Sequence, residues 1–363
     1  MNHHLFPCKI NLFRCTALLV AVLASGFIQT VPAQTIPENA YSAMRWRNIG
    51  PFRAGRALAA TGIPGNASTF FFGAVDGGVW KTANAGHTWQ QISDGQVSPS
   101  IGALAIAASN ENILYVGTGE ADMRSDITYG DGVYKSTDGG SHWTHLGLDS
   151  TRHIGKILID PNDPDLVLVA AVGHAYGSNK ERGVYRTTDG GQTWQNVLGK
   201  NPETGAVDLA WDAQNPQVVY ATTWQMRRVP WDQYEPRQGD GSGLYKSTDK
   251  GESWKEITGH SLPAAPLGRI GVAVARGSAG QTVYAIVQAL KKGSGLYRSD
   301  DGGASWRFVS DDPRVVTRMW YFGRVFLDPQ NADVVYIPSQ GLLRSTDGGK
   351  HFTVIKSSPG GDD

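Results

Sequence analysis

Two kinds of apolar stretch alternate along the chain, and the alternation repeats. The first is a pair of apolar runs broken by Asp, Asn and Pro: "IGKILIDPNDPDLVLVAAV" from Ile154, "DLAWDAQNPQVVYATTW" from Asp208 and "GRVFLDPQNADVVYIPS" from Gly323. The second is a short run that ends in a polar turn and an aromatic: "VYKSTDGGSHW" from Val133, "VYRTTDGGQTW" from Val184, "LYKSTDKGESW" from Leu244, "LYRSDDGGASW" from Leu296, "LLRSTDGGKHF" from Leu342 and a degenerate "VWKTANAGHTW" from Val79. Apolar runs rich in β-branched residues, punctuated by turn formers, predict strands. Helical periodicity is nearly absent. Each unit predicts four strands, the last being a short tail such as "TWQNVL". The closing aromatics fall at 89, 143, 194, 254, 306 and 352, a mean spacing of about 53 residues. Four-stranded units at such a period are the blades of an all-β propeller.

The polar turn lies between the third and fourth strands of a blade. A catalytic site is rarely needed six times, whereas a folding unit often is. Ser136 and Asp138 can accept backbone N–H groups across the turn, Gly140 can take a positive φ, and Trp143 can cover the turn and pack between blades. The same structural role is expected of Asp189, Asp249, Asp301 and Asp347, and of Asn84 in the degenerate copy. This S/T-x-D-x-G-x-x-W pattern resembles the Asp-box, or BNR, repeat, found in sialidases, xyloglucanases, sortilin/Vps10 receptors and a photosystem assembly factor. The "D-P-x-N/D-P-x-x-V-Y" run before each box is most similar to the sortilin and xyloglucanase branches.

"MRWRNIG", Met44 to Gly50, matches the tail of a box, with Trp46 in the position of a box Trp, yet no box precedes it. The expectation is an N-terminal closing strand, a device that removes sheet edges from a ring. After Ile355 only "KSSPGGDD" remains, too little for three further strands. The sequence thus predicts six blades plus a closing strand: an incomplete seven-bladed ring, truncated in its last blade, whose open edge invites association.

Composition changes this picture little. Gly makes up 45 of 363 residues, about 12% against a usual ~7%, in keeping with many tight turns. Residues 1–33 read as a secretory signal: Lys9 and Arg14, then an apolar stretch from Thr16 to Ile28, then "VPA". The mature propeller is expected to be residues 34–363, secreted or periplasmic, with no integral membrane span. Both cysteines, Cys8 and Cys15, fall within the signal, which excludes disulfides and thiolate chemistry from the mature chain. Lys and Arg match Asp and Glu at 33 each; losing the signal leaves 31 against 33, a charge of −2. Nothing there favours nucleic acid or an anionic membrane. No cofactor motif and no metal-ligand spacing appears.

Function is expected in the loops after each second strand, because these differ between blades. "GTGEADMRSDITYGDG" carries Glu120, Asp122, Arg124, Asp126 and Asp131, either a carboxylate or cation site or a loop of local ion pairs. "TTWQMRRVPWDQYEPRQGDGSG" sets Trp224, Trp231 and Tyr234 beside Arg227, Arg228, Asp232 and Glu235. Aromatic platforms among hydrogen-bonding charges suit sugar rings or an extended peptide; the alternative is a loop folded on its own small core. His153, His174, Tyr176, Arg318, Trp320, Tyr321 and Arg324 complete the set. "GPFRAGR" offers Arg53 and Arg56, similar to the arginine motif of sialidases, but a Tyr–Glu nucleophile pair has no counterpart here. "FFGAVDGGVW" places Asp76 where the xyloglucanase resemblance implies a catalytic aspartate. Inverting hydrolysis needs a second carboxyl roughly 6.5–9.5 Å away, which in that family comes from a second, facing propeller. The sortilin resemblance implies peptide binding in the channel. Two readings follow: a module or scaffold that binds a glycan or an extended peptide at the channel mouth, or part of a xyloglucanase-type glycoside hydrolase acting on β-glucans.

Overall fold

The computed structural model describes residues 37–41, 56–212, 214–228, 239–289 and 292–357. The chain divides into two compact units, Met1–Phe52 and Arg53–Asp363. In the first, the described residues hold one 3₁₀ turn, Glu38–Tyr41. The signal segment and the strand expected around Trp46 lie outside the described residues.

The second unit is all-β: six four-stranded antiparallel sheets, each a simple meander, arranged as propeller blades. The blades span residues 57–91, 101–145, 154–198, 204–257, 267–310 and 326–357. In a meander the strand 1–2 and 3–4 turns share one rim, and the 2–3 loops share the other with the links between blades. The boxes are therefore on one rim and the variable loops on the opposite one. No described helix is long and apolar enough to cross a membrane.

All six box turns close in one way. The Ser or Thr hydroxyl donates to the Asp or Asn carbonyl-type oxygen at 2.6 to 2.9 Å. It also accepts the N–H four residues on, at 2.8 to 3.0 Å. The same side-chain oxygen of the Asp or Asn accepts the N–H of the residue before the aromatic, at 2.8 to 3.0 Å. Gly140 has φ +95, and a Cβ there would stand 2.4 Å from the Ile92 side chain of the preceding blade, so the turn needs glycine for both conformation and space. The Trp143 indole N–H reaches the Ile92 carbonyl at 3.0 Å, and Trp194 reaches Leu146 at 3.0 Å, each tying its blade to the one before. The basic residue ahead of the box ties forward: Lys81 bonds the Gly139 carbonyl and Lys246 that of Gly302.

The core lies between blades. Five apolar clusters each join one blade to the next. The first residue of the second-strand core pattern shows what such a seam does. Leu114, Val167, Val219, Val283 and Val335 are completely buried, whereas the equivalent Phe70 of blade 1 is 39% exposed. Phe70 shares its face with Phe72, Trp80 and Trp89, which pack on one another. Among the described residues nothing covers that face. The matching trailing face of blade 6, with Tyr336 and Leu342, is likewise only half-buried.

Candidate functional site

The loop rim is built mainly from residues 119–131 of blade 2, 172–182 of blade 3, 225–228 of blade 4 and 311–325 between blades 5 and 6. It has an inner plug and an outer shelf.

The plug closes the channel mouth. Ala121, Met123, Ile127, Val172, Ala175, Val207, Trp224, Met226 and Trp320 form one buried apolar cluster drawn from blades 2, 3 and 4 and the blade 5–6 link. Backbone bonds lock it: Met123 N–H donates to the Trp320 carbonyl at 3.0 Å, and Arg228 N–H to that of Ala175 at 2.7 Å. The Arg228 guanidinium donates to the Met123 carbonyl at 2.9 Å and lies over the Trp320 ring. Trp224 is 1% and Trp320 5% exposed. This corrects the expectation that these two tryptophans are ligand platforms: their rings fill the mouth, because the indole area is worth more buried against Met and Val than held in water. The described start of the blade 4 loop, Trp224 to Arg228, packs into a core shared with the loops of blades 2 and 3 and the blade 5–6 link.

The shelf carries the exposed chemistry. Asp76 sits in the tight turn between the second and third strands of blade 1, at φ +55, exposed, and accepts the Thr128 hydroxyl at 2.9 Å. Arg56 grips Glu120 in two bonds, Nε at 3.0 Å and Nη2 at 2.7 Å. Burial pushes the Glu120 carboxyl up from its ordinary value, against the pull of Arg56. With its side chain wholly covered, Glu120 is a strut holding the loop, not a group facing ligand. Arg124 pairs with Asp126 at 3.2 Å and lies over Tyr321. Asp131 turns back into its own blade, where it accepts the Tyr134 hydroxyl at 2.8 Å. Arg227 is exposed and Arg318 half-buried at φ +47. Arg53 and Trp231 lie outside the described residues, as do Asp232, Tyr234 and Glu235.

The shelf's aromatic centre is Tyr129, 42% exposed. Its ring lies 5.5 Å from His153, 5.5 Å from His174 and 6.2 Å from Tyr176, with the Arg152 guanidinium 5.7 Å from its centroid. Tyr176 donates its hydroxyl to the Ser125 carbonyl, joining the loops of blades 2 and 3. His153 is completely buried, and neither ring nitrogen has a hydrogen-bond partner among the described residues. Burial pushes its pKa down to about 3, so the ring stays neutral and serves as an aromatic wall. Tyr129 and Arg152 escape a reading of the sequence. The one local hint is an aromatic amid the polar "SDITYGDG".

Arg182 fixes the blade 3 side of the shelf. It is buried and donates to the carbonyls of Val172, His174, Gly177, Glu203 and Met226 and to the Asn179 side chain. Asn179 in turn accepts the His174 N–H. One guanidinium thus organises the turn that presents His174 and Tyr176.

Beneath the plug, two cavities of about 350 and 260 Å³ run down the channel along the first strands, and both are lined by Lys156 and Arg324. A bulge precedes Lys156 and Asp208 and another contains Arg269; such extra residues re-aim side chains off the sheet ladder. Asp122 accepts Arg269 at 3.0 Å, with Arg324 at 3.5 Å. These charges are legible in hindsight as single ionic residues inside buried strands, "IGKILI", "VDLAWD" and "GRIGVAV". No group of three or more His, Cys, Asp or Glu among the described residues is placed to hold a metal.

Comparison with known proteins agrees with this architecture. Residues 131–264 match the family model described as Sortilin-Vps10: Sortilin, neurotensin receptor 3. The chain is 28% identical over 262 residues to an oligoxyloglucan-reducing end-specific xyloglucanase of Emericella nidulans, covering 55% of this chain and 31% of that protein. It is 25% identical over 258 residues to a xyloglucanase of a Paenibacillus species, covering 62% and 22%. The chain therefore spans less than a third of the length of these relatives. Among solved structures, an ancestral GH74 enzyme superposes with a TM-score of 0.60 at 22% identity, over 82% of this chain and 40% of that one. YCF48 bound to D1 peptide superposes with a TM-score of 0.52 at 15% identity, over 83% and 82%. At those identities the likeness speaks for the fold. The six boxes closed by one bonding pattern and the six four-stranded blades make the chain an Asp-box repeat β-propeller, similar over part of its length to the sortilin/Vps10 family model and to xyloglucanases.

Proposed function

We propose that this propeller binds a polysaccharide of the β-glucan class on the shelf of its loop rim. The observation that carries the reading is the exposed Tyr129 ring, walled by His174 and Tyr176 and flanked by Arg152, on the same rim as Asp76, Arg124 and Asp126. A sugar presents an apolar C–H face and a hydroxyl edge. An exposed aromatic takes the first, and fixed carboxylates and guanidinium groups take the second. The xyloglucanases among the relatives supply the substrate class, and the leader-like first 33 residues would deliver the protein to where such polymers are found. Because the plug fills the mouth, the ligand lies across the rim instead of threading the channel.

The test is titration with xyloglucan oligosaccharides. Tyr129→Ala should weaken binding about tenfold, as expected for the loss of one stacking ring and its charged neighbour's contact, while Asp301→Ala, on the opposite rim, should leave affinity unchanged. Equal affinity for Tyr129→Ala and the parent would remove the shelf from the account.

A second reading concerns catalysis. Asp76 is exposed beside that shelf, and the relatives are named for hydrolysis. In this reading Asp76 supplies one of the two carboxyls of an inverting hydrolase, and a group outside this propeller supplies the other. New reducing ends from xyloglucan, abolished by Asp76→Asn with binding retained, would establish it; hydrolysis that survives the change would exclude Asp76.

A further inference from the structure

The channel below the plug holds an unbalanced charge. Lys156, Arg269 and Arg324 face one another there with Asp122 and Asp208, three cations against two carboxylates. The carboxylates are already engaged. Asp122 takes both arginines, and Asp208 accepts the backbone N–H groups of Leu209 at 3.0 Å and Val272 at 3.1 Å. Donors are left over. Lys156 has no hydrogen-bond partner among the described residues, nor has the buried Arg269 Nε, and Arg324 Nη2 has only its long 3.5 Å pairing with Asp122. At the far end of the lower cavity Arg276 and Asp328 add one charge of each sign and do not alter the sum. A surplus charge among half-buried side chains is costly unless an ion of opposite sign joins it or the amine gives up its proton. Burial already pulls the Lys156 ammonium below its ordinary pKa.

The walls indicate which kind of anion. The upper cavity is far larger than an inorganic ion, and away from Lys156, Arg324 and Asp122 it is lined by Leu58, Leu104, Ile157, Phe322 and Phe326. We propose that the channel binds a small organic monocarboxylate, its carboxylate held between Lys156 and Arg324 and its apolar body in the upper cavity. A monoanion brings the charge to zero and gives the leftover N–H donors the acceptors they lack. The site lies beneath the glycan shelf, with Tyr321, over which Arg124 of the shelf lies, at its upper end.

The experiment is calorimetric titration and thermal melting of the full chain with benzoate and cyclohexanecarboxylate. Their uncharged isosteres benzamide and cyclohexanecarboxamide, and sodium chloride at matched ionic strength, are the comparisons. The carboxylates should bind saturably and raise the melting midpoint, whereas the amides and chloride should not. Lys156→Met keeps the volume and should weaken carboxylate binding about tenfold or more, the usual worth of a charge-assisted bond. Lys156→Gln serves the same purpose if the methionine variant misfolds. Xyloglucan oligosaccharides should bind equally well to all three proteins. Amides as effective as acids, chloride as effective as carboxylate, undiminished binding in both Lys156 variants, or no response to either acid would each overturn the proposal.

Discussion

The two rims of this propeller use the same residue types to opposite ends. On the box rim, each box aspartate bonds groups two to four residues away, and the pattern recurs in five blades with an asparagine in the sixth. On the loop rim, bonds cross from blade to blade: Arg56 to Glu120, Asp122 to Arg269, Met123 to Trp320, Thr128 to Asp76. The hydroxyl–carboxylate turn of a box closes on its own residues, so it can be repeated and carries no information about a ligand. A loop that depends on its neighbours cannot be repeated, and its unspent groups are what a ligand meets. An acidic residue is therefore informative here only through what it is bonded to.

The largest expected effect tests whether the loop rim depends on long-range bonds. Arg182→Met leaves five backbone carbonyls short of a donor inside the shelf. A loss of more than about 3 kcal/mol is expected, from several buried groups each worth roughly 1–3 when unpaired; chemical denaturation would measure it, and a change below 1 kcal/mol would show that water replaces the guanidinium without cost. Next comes the box. Ser247→Ala strands the Gly251 N–H, an effect of about 1–3 kcal/mol, while Ser247→Thr should be nearly neutral because Thr82 and Thr187 fill the same place in other blades. A neutral Ser247→Ala would mean the hydroxyl is dispensable to the turn.

The smallest effect per site is the titration of the boxes, and it is shared by five of them. Hydrogen bonds from the adjacent hydroxyls, amides and His rings hold Asp138, Asp189 and Asp347 well below the ordinary range. Asp301 is held at about 2 by Ser305. At Asp249 burial pushes upward, but Ser247 and Ser253 outweigh it and leave the value at about 2. A depressed folded pKa means stability that is present above the unfolded value of about 3.9 and lost as pH falls through the folded one. The propeller should therefore keep its stability down to about pH 4 and lose it steeply between there and about pH 2. Replacing Asp301 by Asn should make that limb shallower. An acid limb unchanged by that replacement would mean the box aspartates do not set it.

The blades and boxes were legible in the sequence because their physics is local. Strand pairing within a meander joins neighbours, and each box bond spans two to four residues, so the string "STDGGSHW" names its own partners. Even the face of blade 1 that no described residue covers has a local mark, since Phe70, Phe72 and Trp80 stand where the other blades have Leu or Val, then Val, Ala or Ile, then Tyr or Leu. The loop rim was legible only as a place. Trp224 and Trp320 looked like exposed platforms because aromatics beside arginines in long loops usually are; they pack on each other's loops instead, 96 residues apart in the chain. Tyr129 carried no expectation from the sequence and is the centre of the shelf.

What the sequence determined by itself was the unit: four strands, a box that closes without help, and the count of copies. What only the tertiary structure decided was which side chains the ring brings face to face: the plug across the mouth, the aromatic shelf beside it, and Lys156 sharing a channel with Arg269 and Arg324. The reason is distance along the chain. A bond between residues a few positions apart is written in one short string, whereas one between residues a hundred or more apart exists only once the blades have been set around a common axis.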